Sequence, residues 1–200
     1  MQIRTDQPDA TLIAESGAEP ERFGLVFDRH APVIYGYIAR RLGRDVADDL
    51  VAETFLIAFR QRAGYDPGQP DARPWLYGIA TRLISRHRRG EVRFFRAIAR
   101  TGVDPAAGPA DDEALRRASA QAVRRDLSAA LAALPAADRD ALLLFTEGLA
   151  YAEVAAALGV PVGTVSSRIA RARRKIKHAL GGVNPAEATD DEGTVEDIDG

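Results

Sequence analysis

EGLAYAEVAAALGVPVGTVSSRIARARRKIKHAL, residues 147–180, holds two helical patterns separated by a turn. Tyr151 to Leu158 reads as a short helix. Gly159 can end it, because a positive φ costs glycine little. Pro161 suits the entry to a second helix from about Val162. The spacing of Ala155, Gly159 and Val165 fits a helix-turn-helix: a small residue at the crossing, glycine in the turn, an apolar anchor beyond. On the second helix Val165, Ile169, Ala172, Ile176 and Ala179 form the expected buried face. Thr164, Ser167, Arg168, Arg171, Arg174 and Lys175 lie opposite, with Ser166, Arg173 and Lys177 flanking. In such a unit the start of the second helix meets base edges and later basic residues reach phosphates. Serine hydroxyls allow close approach, and Arg171 can read a guanine in the major groove. A purely structural reading leaves a run of bases without acidic partners, so DNA binding is the expectation.

Outward from this unit, the chain divides into an all-α pair of small domains. Residues 1–20 are polar and aperiodic and are expected to be a disordered arm. Residues 21–98 carry helical periodicity with short breaks. Residues 99–120, centred on TGVDPAAGPADDEALRRA, mix Gly, Pro, Ala and acids and read as a flexible linker. Residues 121–181 are helical again. Residues 182–200 are an acidic tail with little to bury, read first as solubilising and second as a competitor for the DNA-binding surface.

In the first domain, Phe23 to Leu42 is one apolar-periodic run stopped near Gly43. Asp45 is expected to cap the next helix, with Asp48 in its first turn. There Leu50, Val51, Thr54, Phe55, Ile57 and Ala58 make a buried stripe. Asp49, Ala52, Glu53 and Leu56 form a neighbouring face, half acidic and half apolar. Such a face is either solvated or a docking surface that uses apolar area for affinity and charge for register. A third helix is expected over about Arg73 to Gly90, with Leu76, Ile79, Ala80 and Leu83 facing the core. Arg82, Arg86, Arg89 and Arg93 step by four, three and four and are expected to share an outer face. Arg88, Arg96 and Arg100 add to it, and Glu91 alone opposes. Such a stripe attracts phosphates through charge and counterion release. Trp75 and Tyr77 at its start read as core anchors first and as base-stacking platforms second.

The formal charge of the 200-residue chain is −2, from 27 bases and 29 acids. That balance conceals an asymmetry: seven acids and no Lys or Arg follow Lys177. The remaining 22 acids face 27 bases, so residues 1–180 carry a formal +5. There is no cysteine, which excludes disulfides, thiolate zinc sites and a cysteine nucleophile. The three histidines lack ligand spacing, so no metal is expected. Nothing resembles a signal peptide or a membrane span, so a cytoplasmic location is expected. No phosphate loop or nucleophile–base pair is visible, and neither enzyme chemistry nor a cofactor is expected.

Three blocks, in order, carry a resemblance: DVADDLVAETFLIAFR, RPWLYGIATRLISRHRR, and LPAADRDALLLFTEGLAYAEVAAALGVPVGTVSSRIARARRKI. The chain resembles the extracytoplasmic-function group of the sigma-70 family of RNA polymerase sigma factors, over about Phe23 to Leu180. The resemblance implies that residues 21–98 are sigma region 2 and residues 121–181 are region 4, without the intervening region 3. It implies core RNA polymerase as partner, through the β′ coiled coil and the β flap. Asp48, Asp49, Glu53 and Leu56 would meet the polymerase. Arg62, Tyr65, Arg82, Arg86, Arg89 and Arg93 would bind and open the minus-10 element. Thr164, Ser166, Ser167, Arg168, Arg171, Arg174 and Lys175 would bind the minus-35 element. An anti-sigma protein is a further implied partner. Arg82 stands where the family commonly has Asn, Arg86 where Asp is frequent, Ala52 where Gln is usual, and Ala170 where a larger residue is common. The rival reading is a helix-turn-helix regulator that never joins the polymerase; it leaves the first two blocks without a role.

Overall fold

The computed structural model describes residues 7–102 and 114–181, with side chains from residue 120 in the second stretch. The described residues form nine α-helices and three short 3-10 turns, with no strand. Helix α1 spans Asp9–Glu15, α2 Phe23–Leu42, α3 Ala47–Gln61, α4 Arg73–Arg86 and α5 Arg88–Thr101. The second module holds α6 Ala114–Ala133, α7 Ala136–Thr146, α8 Tyr151–Leu158 and α9 Val162–Ala179.

The expected boundaries of α2 are met, with Gly43 at φ 89° stopping it. The turn between α8 and α9 is also as read: Gly159 is left-handed, at φ 64° and ψ 39°. The Glu153 carboxylate accepts from the Ala150 N–H at 2.7 Å and so satisfies one N-terminal donor of α8. Helix α3 departs from expectation at its start. Asp45 lies in a 3-10 turn, Arg44–Val46, and does not cap; Asp48 and Asp49 occupy the first turn, where the helix dipole favours them.

Residues 1–20 are not a disordered arm throughout. Asp9–Glu15 is helical, with Leu12 and Ile13 buried against region 21–98. Two apolar residues are too few for a periodic signal, yet they fill a groove that the rest of the domain provides. The helix read as Arg73 to Gly90 is two helices, broken at His87. The break turns Glu91, Phe95 and Ile98 inward, and α5 continues to Thr101 before left-handed Gly102. The linker is correspondingly shorter than 99–120: residues 99–101 and 114–120 are helical. Residues 103–113, its centre, and the acidic tail at 182–200 lie outside the described residues.

The two modules pack against each other. Their apolar residues form one continuous core, from Leu12 and Phe23 through Leu76 and Ile84 to Leu142, Val154 and Ile169. Helix α5 lies along α6, and α4 lies against α8. The α4–α8 approach is backbone-close: a Cβ on Gly78 would sit 2.6 Å from the Ala157 carbonyl oxygen. Only glycine permits that crossing.

Charges also cross the junction. Arg41 and Arg139 are each 2% exposed, and Glu91 is 1% exposed. The Glu91 carboxylate accepts from Arg41 Nε at 2.6 Å and from Arg139 Nη2 at 2.8 Å. Arg41 also pairs with Asp140 and donates to the Tyr37 hydroxyl. Arg139 Nη1 donates to the carbonyls of Leu131 and Leu134, at 3.0 and 3.1 Å. Each buried charge therefore meets opposite charge, and both arginines make further hydrogen bonds, although Arg139 Nε is left without a partner. Burial pushes the Tyr37 phenol up, so it stays a neutral acceptor for Arg41.

Candidate nucleic-acid interface

Helix α9 is held by Val165, Ile169 and Ala172, all buried against the rest of the second module. Ile176 is half-buried and Ala179 is exposed, so the apolar face is one turn shorter than its spacing predicts. Its opposite side presents Ser166, Ser167, Arg171, Arg174 and Lys175 to solvent, while Thr164 and Arg168 are half-buried. Thr164 sits in the first turn, where its carbonyl accepts from the Ser167 hydroxyl at 2.9 Å. Small hydroxyl residues thus open the helix, and bases follow along its length.

Arg171 is exposed but engaged. Its Nη2 and Nε donate to the two carboxylate oxygens of Asp138 at 2.9 and 3.2 Å. Asp138 is buried in the first turn of α7. The pair holds the guanidinium by one edge, Nε and Nη2, a two-point arrangement of the kind arginine also uses toward guanine. Asp138 lies 33 residues away in sequence, so no local pattern announces this partner. Arg173 instead leans over the Phe145 ring, 4.8 Å from its centroid.

In the first module Arg82, Arg86, Arg88, Arg89, Arg93, Arg96 and Arg100 are all exposed. The break at His87 means that they do not form one straight stripe: Arg82 and Arg86 belong to α4, the others to α5. Glu91, read as the lone opposing acid, faces inward to Arg41 and Arg139 and leaves the outer field without an acid of α5. One arginine of the field does have a partner: Arg86 Nη1 reaches Glu53 at 3.1 Å across an exposed surface.

The loop between α3 and α4 begins with a 3-10 turn, Arg62–Gly64. Arg62 is half-buried; its guanidinium covers the Phe59 ring at 3.8 Å and donates to the Phe59 carbonyl. Tyr65 is half-buried, 4.9 Å from the Trp75 ring, and donates to the Gln69 carbonyl at 2.7 Å. Burial and then the nearby carboxylates of Asp9, Asp71 and Asp66 push its phenol up, which keeps it a neutral donor. Trp75 is half-buried, partly anchor and partly surface.

Asp48, Asp49 and Leu56 are exposed on one side of α3, Leu56 to 47%, and Glu53 is half-buried. This side of α3 therefore carries an exposed leucine among carboxylates. Phe27 on α2, exposed to 42%, packs edge-on against Phe55 of α3.

A crevice runs between the modules. Arg82, Ser85 and Arg88 line one side; Asp140, Val160 and Arg168 line the other. The field on α4–α5 and the first half of α9 therefore adjoin in this arrangement. Asp9, His30 and Asp71 bring three donor atoms within 4.8 Å of one another. Those carboxylates are engaged by Arg29, the Ala72 N–H and Arg73, so the group is a hydrogen-bonded hub. Among the described residues no helix is long and apolar enough to cross a membrane.

Comparison with known proteins matches residues 26–94 to sigma-70 region 2 and residues 124–176 to sigma-70 region 4. The chain is 35% identical over 184 residues to the ECF RNA polymerase sigma factor SigE of Mycolicibacterium smegmatis, covering 88% of this chain and 69% of that one. It is 32% identical to the RNA polymerase sigma factor CarQ of Myxococcus xanthus, over 80% and 90% of the two chains. Among solved structures, CnrH in complex with the cytosolic domain of CnrY superposes with a TM-score of 0.60 at 29% identity, over 88% of this chain and 99% of that one. RpoE of Bartonella quintana, solved with the anti-sigma factor NepR, shares the fold at a TM-score of 0.58 and 24% identity. With both regions present in order, the chain belongs to the extracytoplasmic-function group of RNA polymerase sigma factors, which direct transcription initiation at promoters.

Proposed function

We propose a division of labour among the surfaces of this sigma factor. Region 4, residues 121–181, reads the minus-35 element with Thr164, Ser166, Ser167, Arg168 and Arg171, while Arg174 and Lys175 hold phosphates. Region 2, residues 21–98, takes the minus-10 element with Arg62, Tyr65, Arg82, Arg86, Arg89 and Arg93. Asp48, Asp49, Glu53 and Leu56 meet the polymerase β′ coiled coil. The observation that carries this reading is the exposure of basic residues on two different helical surfaces, on α9 and on α4–α5, which belong to different modules and adjoin across the crevice.

The work is binding, without catalytic chemistry of the chain's own. Opening follows when an unpaired base and one strand are bound better than the duplex. Flipping a base costs a few kcal/mol, which stacking and pocket contacts offset. The site of action is the cytoplasm, where polymerase and promoter meet. The two solved structures named above each include a protein partner, and NepR is an anti-sigma factor; an anti-sigma protein is proposed for this chain as well.

The test is transcription by core polymerase loaded with this protein on a library of randomised promoters. Two sequence blocks should be enriched. Arg171→Ala should relax only the upstream block and Arg82→Ala only the downstream one. Enrichment of no block, or relaxation of both by either variant, contradicts the assignment.

A further inference from the structure

Helix α1 holds the loop between α3 and α4 at both ends. At the α4 end, the Asp9 N–H donates to the Pro70 carbonyl at 3.0 Å. Asp9 Oδ2 accepts from the Ala72 N–H at 2.8 Å and lies 2.6 Å from His30 Nε2. Asp9 Oδ1 accepts from the Arg29 guanidinium. At the α3 end, Arg62 Nε reaches the Ser16 carbonyl at 3.4 Å. Between these ties, Ile13 and Ala14 of α1 line a cavity whose opposite wall is Arg62, Tyr65 and Pro67.

The Asp9 side chain is 3% exposed, and a buried carboxylate persists only with partners of this kind. Burial alone would raise its pKa. The hydrogen bond to His30, the Ala72 N–H, and the charges of His30 and Arg29 together outweigh burial and lower it. Residues 66–70 of the loop are exposed, and their own bonds are short-range: Gly68 N–H to Asp66, Gln69 N–H to Asp66, and Tyr65 to Gln69. Those bonds shape the turn but do not fix it relative to α2. At the α4 end the long-range tie runs through Asp9, 63 residues from Ala72; at the α3 end it runs from Arg62 to the Ser16 carbonyl.

We propose that Asp9 is a positioning residue for minus-10 selection: α1 is a strap that sets where Arg62 and Tyr65 stand. The proposal rests on the reading of that loop as the minus-10 surface. Asp9 touches no DNA; its carboxylate acts through the backbone N–H of Ala72, while its own N–H holds Pro70 in the parent and in both variants alike. Removing its carboxylate frees Ala72 on the loop side and Arg29 and His30 on α2, so the loop can shift while α3 and the second module keep their contacts.

The test uses full-length Asp9→Ala and Asp9→Asn, saturating on core polymerase, at temperatures below each variant's melting transition. Transcription is measured from promoters substituted singly across the minus-10 and minus-35 elements. For Asp9→Ala, discrimination at the most selective minus-10 position should fall about tenfold, the scale of one lost base contact, with minus-35 discrimination unchanged. Trp75, the only tryptophan, should change its emission as Tyr65 moves. Asp9→Asn keeps an acceptor for the Ala72 N–H, turns its amide NH2 toward Arg29 in place of an acceptor, and should fall between. Unchanged minus-10 discrimination in both variants overturns the proposal, as does an equal loss at both elements. Tyr65→Ala separates the two readings. If it lowers minus-10 discrimination and the Asp9 variants do not, the strap is wrong and the loop reading stands. If it too leaves discrimination unchanged, the loop reading falls with the strap.

Discussion

Arginines at the module junction and arginines on the outer surfaces are the same side chain in two environments. Arg41 and Arg139 are buried, share the Glu91 carboxylate, and donate further bonds to Asp140, Tyr37 and two backbone carbonyls. Arg82, Arg89, Arg93 and Arg174 stand in solvent on α4, α5 and α9. The buried pair cannot serve DNA without abandoning the junction, since a stranded buried charge is expensive. The exposed set lends little to the fold, since exposed charges are well solvated. Arg171 lies between the classes: exposed, yet gripped by buried Asp138. Burial and partner, not residue type, separate structure from function here.

The largest expected effect comes from removing the shared carboxylate at the junction. Glu91→Ala leaves two buried guanidinium groups short of a partner and should cost about 3–5 kcal/mol. Urea or thermal unfolding followed by circular dichroism measures it. A midpoint equal to that of the parent protein would mean that the junction network is dispensable.

Next comes the arginine of intermediate character. Arg171→Ala should weaken binding to a cognate minus-35 duplex by about 1–3 kcal/mol, with preference relaxed at one base position. Titration of matched and substituted duplexes by fluorescence anisotropy decides it. Uniform weakening across all sequences would reassign Arg171 to phosphate binding, alongside Arg174 and Lys175.

An arginine of the outer field should behave in that uniform way. Arg93→Ala should weaken minus-10 binding alike for all sequences and reduce the salt-dependence slope by about 1. Salt titrations of holoenzyme on promoter DNA show the difference. An unchanged slope would place Arg93 away from the backbone.

Smallest in stability is the exposed pair of Arg86 and Glu53. Glu53→Lys breaks it and should alter folding stability by no more than about 1 kcal/mol. Its capture by core polymerase should nevertheless drop, because Glu53 belongs to the proposed docking face. A pull-down with parent-level capture would remove Glu53 from that face.

Much of the architecture was legible because helix periodicity and punctuation are local. The stop at Gly43 and the turn at Gly159 could be read from glycine placed after an apolar run. The serines and bases on the outer side of α9 followed from the positions of Val165, Ile169 and Ala172. What was not legible depends on contacts distant in sequence. Helix α1 offers only Leu12 and Ile13, and its groove is supplied by other elements. The break at His87 lacks Gly or Pro at the break itself. Phe95 and Ile98, three apart, together with Gly102 mark α5 as a separate helix with its own buried face, a signal the arginine spacing masked. Glu91 was read as an acid opposing a basic stripe, because its partner Arg139 lies 48 residues away. Asp9 and Asp138, which position the loop and Arg171, are short acidic residues among many; nothing in their neighbourhoods distinguishes them.

The division of labour is tested most directly by placing a photoreactive amino acid at Ser167 or at Arg93 in the full chain. Each is loaded on core polymerase, bound to promoter DNA, and cross-linked. Ser167 should attach to the minus-35 stretch and Arg93 to the minus-10 stretch, with neither crossing over. Cross-links from both positions to one stretch, or from Ser167 to no DNA, would contradict it.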